Sequence, residues 1–316
     1  MKENKRYSDV GVLPPVYTTK RGKAYCGDSF EVMKSIRSGS VSLVITSPPF
    51  ALRHKKAYGN VTAEKYVEWF WPFAREIHRI LKNDGSLVLD IGGAWNRGVP
   101  TRSLYQFELL LSLCGTGFFR LAQDFYWYNR SKIPAPAEWV TIRRIRVKDA
   151  VNPVWWLAKS EFPKASNWRV LQPYSHSMQI LLKHGYNQGL RPSGHRVSAR
   201  WSRDNGGSIA TNLIEAANTR AADAYMNACR EHDLPIHPAR FVEQVPEFFI
   251  KFLTEPRDLI LDPFAGSNIV GAVAERLKRR WVSIEIDPVY VVGSAFRFDS
   301  TGKKLLGKWR RTGRLA

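Results

Sequence analysis

The apolar run Val41-Ser42-Leu43-Val44-Ile45 ends abruptly on Thr46-Ser47-Pro48-Pro49-Phe50. The run reads as a buried strand. Two successive prolines fix the backbone and remove two N–H donors, so no ladder continues through them. What projects from such a corner is a set of acceptors, the local carbonyls and the Ser47 hydroxyl, with the flat Phe50 ring beside them. That arrangement is poorly suited to a core and well suited to gripping a planar amine. A rigid loop leaving a sheet is the plainer alternative.

Buried strands and helices alternate on both sides of this corner. Strands are expected over 23–26, 41–46, 86–91, 124–128 and 151–157, and helices over 29–36, 62–81 and 102–113. In the longest helix Tyr66, Phe70, Phe73, Ile77 and Ile80 share one face, with Asn83-Asp84-Gly85 ending it. After Pro246 come a helix over 247–253, a strand over 259–262, a glycine turn, a helix over 270–279, a strand over 281–286 and a helix over 289–298. This order predicts an α/β fold with a doubly wound, mostly parallel sheet. Between 161 and 235 the composition shifts to Gly, Asn, Ser and Arg, which reads as a separate, loop-rich module. Internal repeats are not evident.

The second motif is Leu261-Asp262-Pro263-Phe264-Ala265-Gly266-Ser267-Asn268, set between a strand and a helix. Small residues there let a ligand approach the backbone at the carboxyl edge of a strand, beside a helix N-terminus. The next strand closes near Glu285, where a carboxylate can accept from both hydroxyls of a ribose. Glu285 as an acid near a helix start is the competing reading.

The chain of 316 residues carries 48 Lys+Arg against 28 Asp+Glu, a formal net charge of +20. A field of that size attracts polyanions and speeds their encounter. No apolar stretch approaches the roughly 20 residues that cross a bilayer, and no basic amphipathic anchor is seen, so nucleic acid is the expected partner and a membrane is not. Residues 1–7 are polar, with no apolar run behind them, so a secretory leader is not expected. Cys26, Cys114 and Cys229 lie far apart without metal-ligand or redox spacing, which fits free thiols in a reducing cytoplasm. His54, His195, His232 and His237 form no ligand set, and no metal is expected.

Together these motifs are similar to those of the amino-directed DNA methyltransferases, in the permuted group whose catalytic motif precedes the cofactor motif. The Ser-Pro-Pro-Phe form resembles that of cytosine-N4 members. The resemblance extends over most of the chain, through 46–58, 92–100, 124–128, 145–152, 204–209 and 237–241. It implies a Rossmann-like, S-adenosylmethionine-dependent methyltransferase fold, with a seven-stranded sheet in which one strand, 151–157, is reversed. It also implies a catalytic piece over 17–163, a target-recognition module over 164–235, a cofactor piece over 236–300, and tails at 1–16 and 301–316. In such a protein Ser47, Pro48, Pro49 and Phe50 form the catalytic corner. The cofactor is S-adenosyl-L-methionine, held by Asp28, His237, Asp262, Phe264, Gly266, Ser267, Asn268 and Glu285. Asp28 alone reads equally well as a helix cap. Asn268 stands where glycine is usual, although Asn tolerates left-handed backbone.

The chemistry of the corner excludes methylation at the cytosine ring carbon, which needs a thiolate nucleophile, generally after proline. None of the three cysteines follows a proline. An exocyclic amine needs only positioning and electrostatic stabilisation, and no strong base is visible in the sequence. The amine of a duplex base is hidden, so the base must be flipped out. Phe50 is the candidate stacking face. Tyr126, Trp127 and Tyr128 offer another, with Trp127 assigned to the core by strand alternation. Arg53, Lys55 and Lys56, then Arg143 and Arg144, then Ser193 and His195 in the loop-rich module, are the expected DNA contacts. The expected function is methyl transfer to cytosine N4 in double-stranded DNA, within CAGCTG, by a cytoplasmic monomer. It would be the modification arm of a restriction-modification system, with a companion endonuclease it does not stably bind. The rivals are an adenine-N6 enzyme, a non-catalytic DNA-binding protein and, more remotely, an RNA methyltransferase.

Overall fold

The computed structural model describes residues 14–51, 61–185, 189–194, 196–198, 203–217, 223–298 and 300–315. Two compact units are present, 165–211 and the remainder of the chain. The first part of the larger unit holds β1 (Tyr17–Thr18), β2 (Gly22–Cys26), α1 (Ser29–Lys34), β3 (Val41–Thr46), α2 (Tyr66–Ile80), β4 (Leu81–Asp90), α3 (Tyr105–Gly115), β5 (Arg120–Tyr128) and β6 (Val151–Ala158). The smaller unit carries α4 (His176–His184), β7 (Gly189–Leu190) and β8 (Arg196–Val197). The larger unit resumes with β9 (Leu213–Glu215), α5 (Ala224–Glu231), α6 (Gln244–Leu253), β10 (Leu259–Asp262), α7 (Ile269–Arg276), β11 (Arg280–Glu285), α8 (Pro288–Ser294) and α9 (Thr301–Thr312).

The strands of the larger unit form one sheet in the order β1-β2-β11-β10-β3-β4-β6-β5-β9. From β2 to β4 every neighbour is parallel, and β6 runs against both β4 and β5. The seven central strands with 151–158 reversed are those the sequence predicts. Short β1 and β9 extend the two edges. All six residues of β3 are buried, because apolar clusters cover both faces of the sheet. Leu43 and Ile45 point into one cluster, Val41 and Val44 into the other. That is why this strand has no polar face.

Several boundaries differ from expectation for local reasons. Asn83-Asp84-Gly85 does not separate α2 from the next strand. It lies inside β4, where pairing with β3 jumps from Val41–Leu81 to Leu43–Ser86. The segment assigned to the loop-rich module is also shorter than expected, 165–211 rather than 164–235. Residues 213–215 pair in parallel with β5, and Tyr225 and Cys229 of α5 are buried in the main core. The tail 301–316 contains α9, whose Leu305 and Leu306 are buried while Lys303, Lys304 and Lys308 are exposed. Arg53, Lys55, Lys56 and His195 lie outside the described residues.

Candidate active site

Because β3, β4, β10 and β11 are parallel, their carboxyl ends open on one edge of the sheet. Ser47 follows β3, Asp90 closes β4, Asp262 closes β10 and Glu285 closes β11. The reversed β6 brings its amino end, with Asn152, to the same edge. A cavity of about 780 Å³ lies there, and both sequence motifs line it. Crevices at the carboxyl ends of such sheets are the usual place for a ligand.

On one side stands the proline corner. Ser47, Pro48, Pro49 and Phe50 all line the cavity. Tyr66 Oη donates to the Pro49 carbonyl at 2.9 Å and ties the corner to α2. Phe50 is half-buried against Gly92, where a Cβ would meet the ring at 2.5 Å. The glycine therefore makes room for the ring. Ser47 Oγ donates to Asp90 Oδ2 at 2.9 Å, which leaves the serine oxygen's lone pairs free to accept. Asn152 Nδ2 donates to Asp90 Oδ1 at 3.4 Å, and Lys132 Nζ donates to Asn152 Oδ1 at 2.9 Å. Burial raises the Asp90 carboxyl to about 6, opposed by the hydrogen bonds from Ser47 and Asn152 and by the charge of Lys132. A carboxylate so placed titrates near neutrality, as a proton acceptor at pH 7 should.

On the other side stands the glycine turn. Gly266 sits at φ 49, and a Cβ on it would come within 3.0 Å of the His237 ring. Glu285 Oε2 accepts from Gly266 N at 2.7 Å and Oε1 from Asp287 N at 3.0 Å, so the carboxylate is fixed with acceptor capacity left over. Burial is the main cause that raises its pKa. His237 pairs Nδ1 with the Ala239 carbonyl at 2.8 Å and meets Tyr290 edge to face; burial lowers its pKa, so the ring is neutral. Phe264 presents its ring to the cavity, edge-on to Phe73 at 5.1 Å. Ser267 is held by Arg297, which donates to its carbonyl at 2.6 Å. A fixed acid, a glycine-thinned backbone and an aromatic wall fit the ribose, the chain and the base of an adenosine-carrying cofactor.

Several residues depart from the expected picture or serve two roles. Asn268 is buried but does not line the cavity. It caps α7 in left-handed backbone (φ 54), accepting from Gly271 N at 3.0 Å and donating to Tyr17 Oη at 2.9 Å. Its job is local, and the left-handed tolerance of Asn is what the position uses. Asp28 is both things at once. Its Oδ1 accepts from Phe30 N at 2.8 Å to cap α1, and the residue also lines the cavity. Trp127 is buried as alternation requires, with Nε1 donating to the Ala216 carbonyl at 2.9 Å, yet it also reaches the cavity. Tyr126 and Tyr128 point the other way and do not line it. Asp262 lines the cavity, but its Oδ1 is taken up by Thr46 Oγ1 at 2.7 Å and Phe264 N at 3.1 Å.

Asp90, Asn152 and Lys132 are not singled out by the sequence, in which no base is visible. The available signal is an acid closing the apolar run Leu87-Val88-Leu89-Asp90 just before Ile91-Gly92-Gly93. Of the expected DNA contacts that are described, Arg143 and Arg144 are exposed in the larger unit and Ser193 is exposed in the smaller one. Arg143 pairs with Glu138 at 2.7 Å. Among the described residues no three His, Cys, Asp or Glu side chains stand together as a metal site.

A family model described as DNA methylase matches residues 41–295, which include both motifs and the module between them. The chain belongs to the DNA methylase family. The methylase is 50% identical over 287 residues to the type II methyltransferase M.PvuII of Proteus hauseri, covering 90% of this chain and 85% of that protein. The solved PvuII DNA methyltransferase, described as cytosine-N4-specific, superposes with a TM-score of 0.76 at 44% identity over 94% of each chain. TTHA0409 of Thermus thermophilus, solved in complex with S-adenosyl-L-methionine, has a TM-score of 0.55 at 18% identity over 88% of the methylase and 93% of its own chain. That last likeness concerns the fold. In the methylase the Ser47–Phe50 corner precedes the Asp262–Ser267 turn in sequence and shares one cavity with it.

Proposed function

We propose that the methylase transfers a methyl group from S-adenosyl-L-methionine to N4 of a cytosine flipped out of double-stranded DNA, within CAGCTG. The observation that carries this reading is the single cavity shared by the Ser47–Asp90 pair and the Gly266–Glu285 pair. When bound, the cofactor supplies a methyl group made electrophilic by its positive sulfur. Glu285 holds the ribose hydroxyls, Phe264 lies against the adenine, and His237 packs at the methionine end. Asp28 accepts from the adenine amine through the carboxylate oxygen that α1 does not use.

At the corner, Ser47 Oγ and the Pro48 carbonyl accept the two amine hydrogens of the cytosine. Those bonds draw the nitrogen lone pair out of conjugation and aim it into the cavity. Phe50 stacks on the ring. Once N4 has gained its methyl it is cationic, and its proton passes to Ser47 Oγ as the serine proton passes to Asp90. Lys132, acting through Asn152, keeps Asp90 ionised until then. The unit 165–211, with Ser193 and His195, is the target-reading module, and Arg53, Lys55, Lys56, Arg143 and Arg144 hold phosphates. The protein works as a cytoplasmic monomer that protects DNA from a companion endonuclease without stably binding it.

The test is methyl transfer from labelled cofactor to CAGCTG duplexes followed by nucleoside analysis. N4-methylcytosine is expected. N6-methyladenine as the sole product overturns the base assignment.

A further inference from the structure

The segment joining β5 to β6 rims the cavity. Lys132, Ile133, Ala135, Asp149, Ala150 and Val151 line the wall. Its two ends are clamped together by Asn129 N to the Ala150 carbonyl and Lys148 Nζ to the Arg130 carbonyl, both 2.8 Å. Its middle is held from within. Ile145 N and Arg146 N both donate to the Trp139 carbonyl, at 3.0 and 3.2 Å, and Arg143 N donates to the Glu138 carbonyl at 2.9 Å. Arg146 then fastens the strap to the cavity wall. Its Nη1 donates to the Pro100 carbonyl at 2.6 Å, and its guanidinium lies 3.8 Å over the ring of Trp95, itself a lining residue.

Besides Ile133 near its start, this well-anchored strap puts three aliphatic side chains into water close together in sequence. Ile142, Ile145 and Val147 are 69%, 60% and 85% exposed. They flank Arg146, and Arg143, Arg144 and Lys148 alternate with them. Arg144 holds left-handed backbone at φ 55, a conformation a non-glycine residue adopts at a cost. A solvated loop needs no aliphatic tip, and a hydrophobic patch rimmed by cations marks a binding surface. The cations select a polyanion, and the cavity next to the strap is where a base leaves its stack.

We infer that Ile142, Ile145 and Val147 form an apolar wedge that enters the base stack where the target base has left it. Arg143, Arg144 and Lys148 hold the flanking phosphates. The inference rests on the reading that the cavity receives a flipped base. A flipped base leaves its neighbours unstacked, and proteins that open a duplex commonly fill such gaps with aliphatic side chains. The wedge lowers the cost of flipping and takes no part in methyl transfer itself.

The test compares two CAGCTG duplexes, one with guanine opposite the target cytosine and one with an abasic site there, where flipping is already cheap. The triple variant Ile142→Ala, Ile145→Ala, Val147→Ala is expected to lose about tenfold or more in kcat/KM on the paired duplex, yet to stay within about twofold of wild type on the abasic one. The conservative triple Ile142→Val, Ile145→Val, Val147→Ile, which loses one methylene in all and stays aliphatic at each position, should keep activity on both duplexes. Equal loss on the two duplexes, or no loss on either, overturns the wedge. The deciding quantity is a ratio between substrates, with the abasic site set opposite whichever base the wild type is found to methylate, whereas the cytosine reading stands or falls on the wild type's product.

Discussion

Thr46 Oγ1 donates a 2.7 Å hydrogen bond to Asp262 Oδ1 across 216 residues of sequence. The donor is the last residue before the Ser47–Phe50 corner and the acceptor opens the Asp262–Ser267 turn. A second tie runs beside it, from the Ser29 hydroxyl to the Pro263 carbonyl. The corner and the turn are therefore joined side by side at the sheet edge, both Thr46 and Asp262 being buried.

Burial raises the Asp262 carboxyl from 3.8 to about 7, partly offset by hydrogen bonds from Thr46 and Phe264. The folded protein thus takes up a proton between those two values. This group's contribution to stability is complete below about pH 4 and is lost as pH rises through about 7. Asp262→Asn keeps an oxygen for Thr46 and Phe264 and removes the titration. Its melting temperature should match wild type near pH 4 and exceed it above pH 7, by on the order of 4 kcal/mol in stability. Thermal melts across pH 4–8 measure the difference, and a gap that does not widen with pH contradicts the prediction.

Asp90 must be ionised to draw the Ser47 proton. With its carboxyl at about 6, kcat/KM should fall as pH drops below that value. Asp90→Asn should lower turnover on the order of 100-fold and flatten the acid limb. Ser47→Ala should lose a comparable factor while binding DNA normally. Single-turnover rates and gel-shift titrations on the same preparations separate the two effects.

The positive charge of Lys132 is one of the causes that hold the Asp90 carboxyl down. Lys132→Met removes the charge and keeps the stem. Its acid limb should move to higher pH, so the loss of activity is larger at pH 6 than at pH 8. A pH-independent loss would assign Lys132 a packing role only.

Glu285 is fixed by Gly266 and Asp287 and has acceptor capacity to spare for a ribose. Glu285→Gln, which keeps one acceptor oxygen, should weaken cofactor binding by about 10-fold or more, since a hydrogen bond to a charged group contributes roughly 1.5–3 kcal/mol. Equilibrium dialysis with labelled cofactor reads this directly, and unchanged affinity removes Glu285 from the ribose site.

Arg143 and Arg144 are exposed on the strap beside the cavity. If both hold phosphates, Arg143→Gln with Arg144→Gln should reduce the slope of log affinity against log salt by about 1.8 in all. An unaltered slope places the two arginines away from the DNA backbone.

How much of this is legible in the residues differs from element to element. The strand over 259–262 and the reversed strand over 151–158 are readable because burial on both faces leaves the apolar runs Leu259–Leu261 and Val154–Ala158. The start of β4 is not, because Asn83-Asp84-Gly85 is turn chemistry wherever it occurs, and only the pairs on either side of it, Val41–Leu81 and Leu43–Ser86, carry the strand through. Asn268 looks like a ligand contact because its motif places it in a binding turn, while its backbone geometry makes it a helix cap.

The sequence by itself determined the sheet, the two motifs and the class of chemistry, since strand burial, proline-stiffened turns and net charge are properties of neighbouring residues. Tertiary structure alone decided that Ser47 has a carboxylate partner, that Lys132 reaches Asp90 through Asn152, and that Trp127 rather than its tyrosine neighbours faces the cavity. Each of those depends on strands that are distant in sequence lying side by side, where register and the loss of water set hydrogen bonds and pKa values.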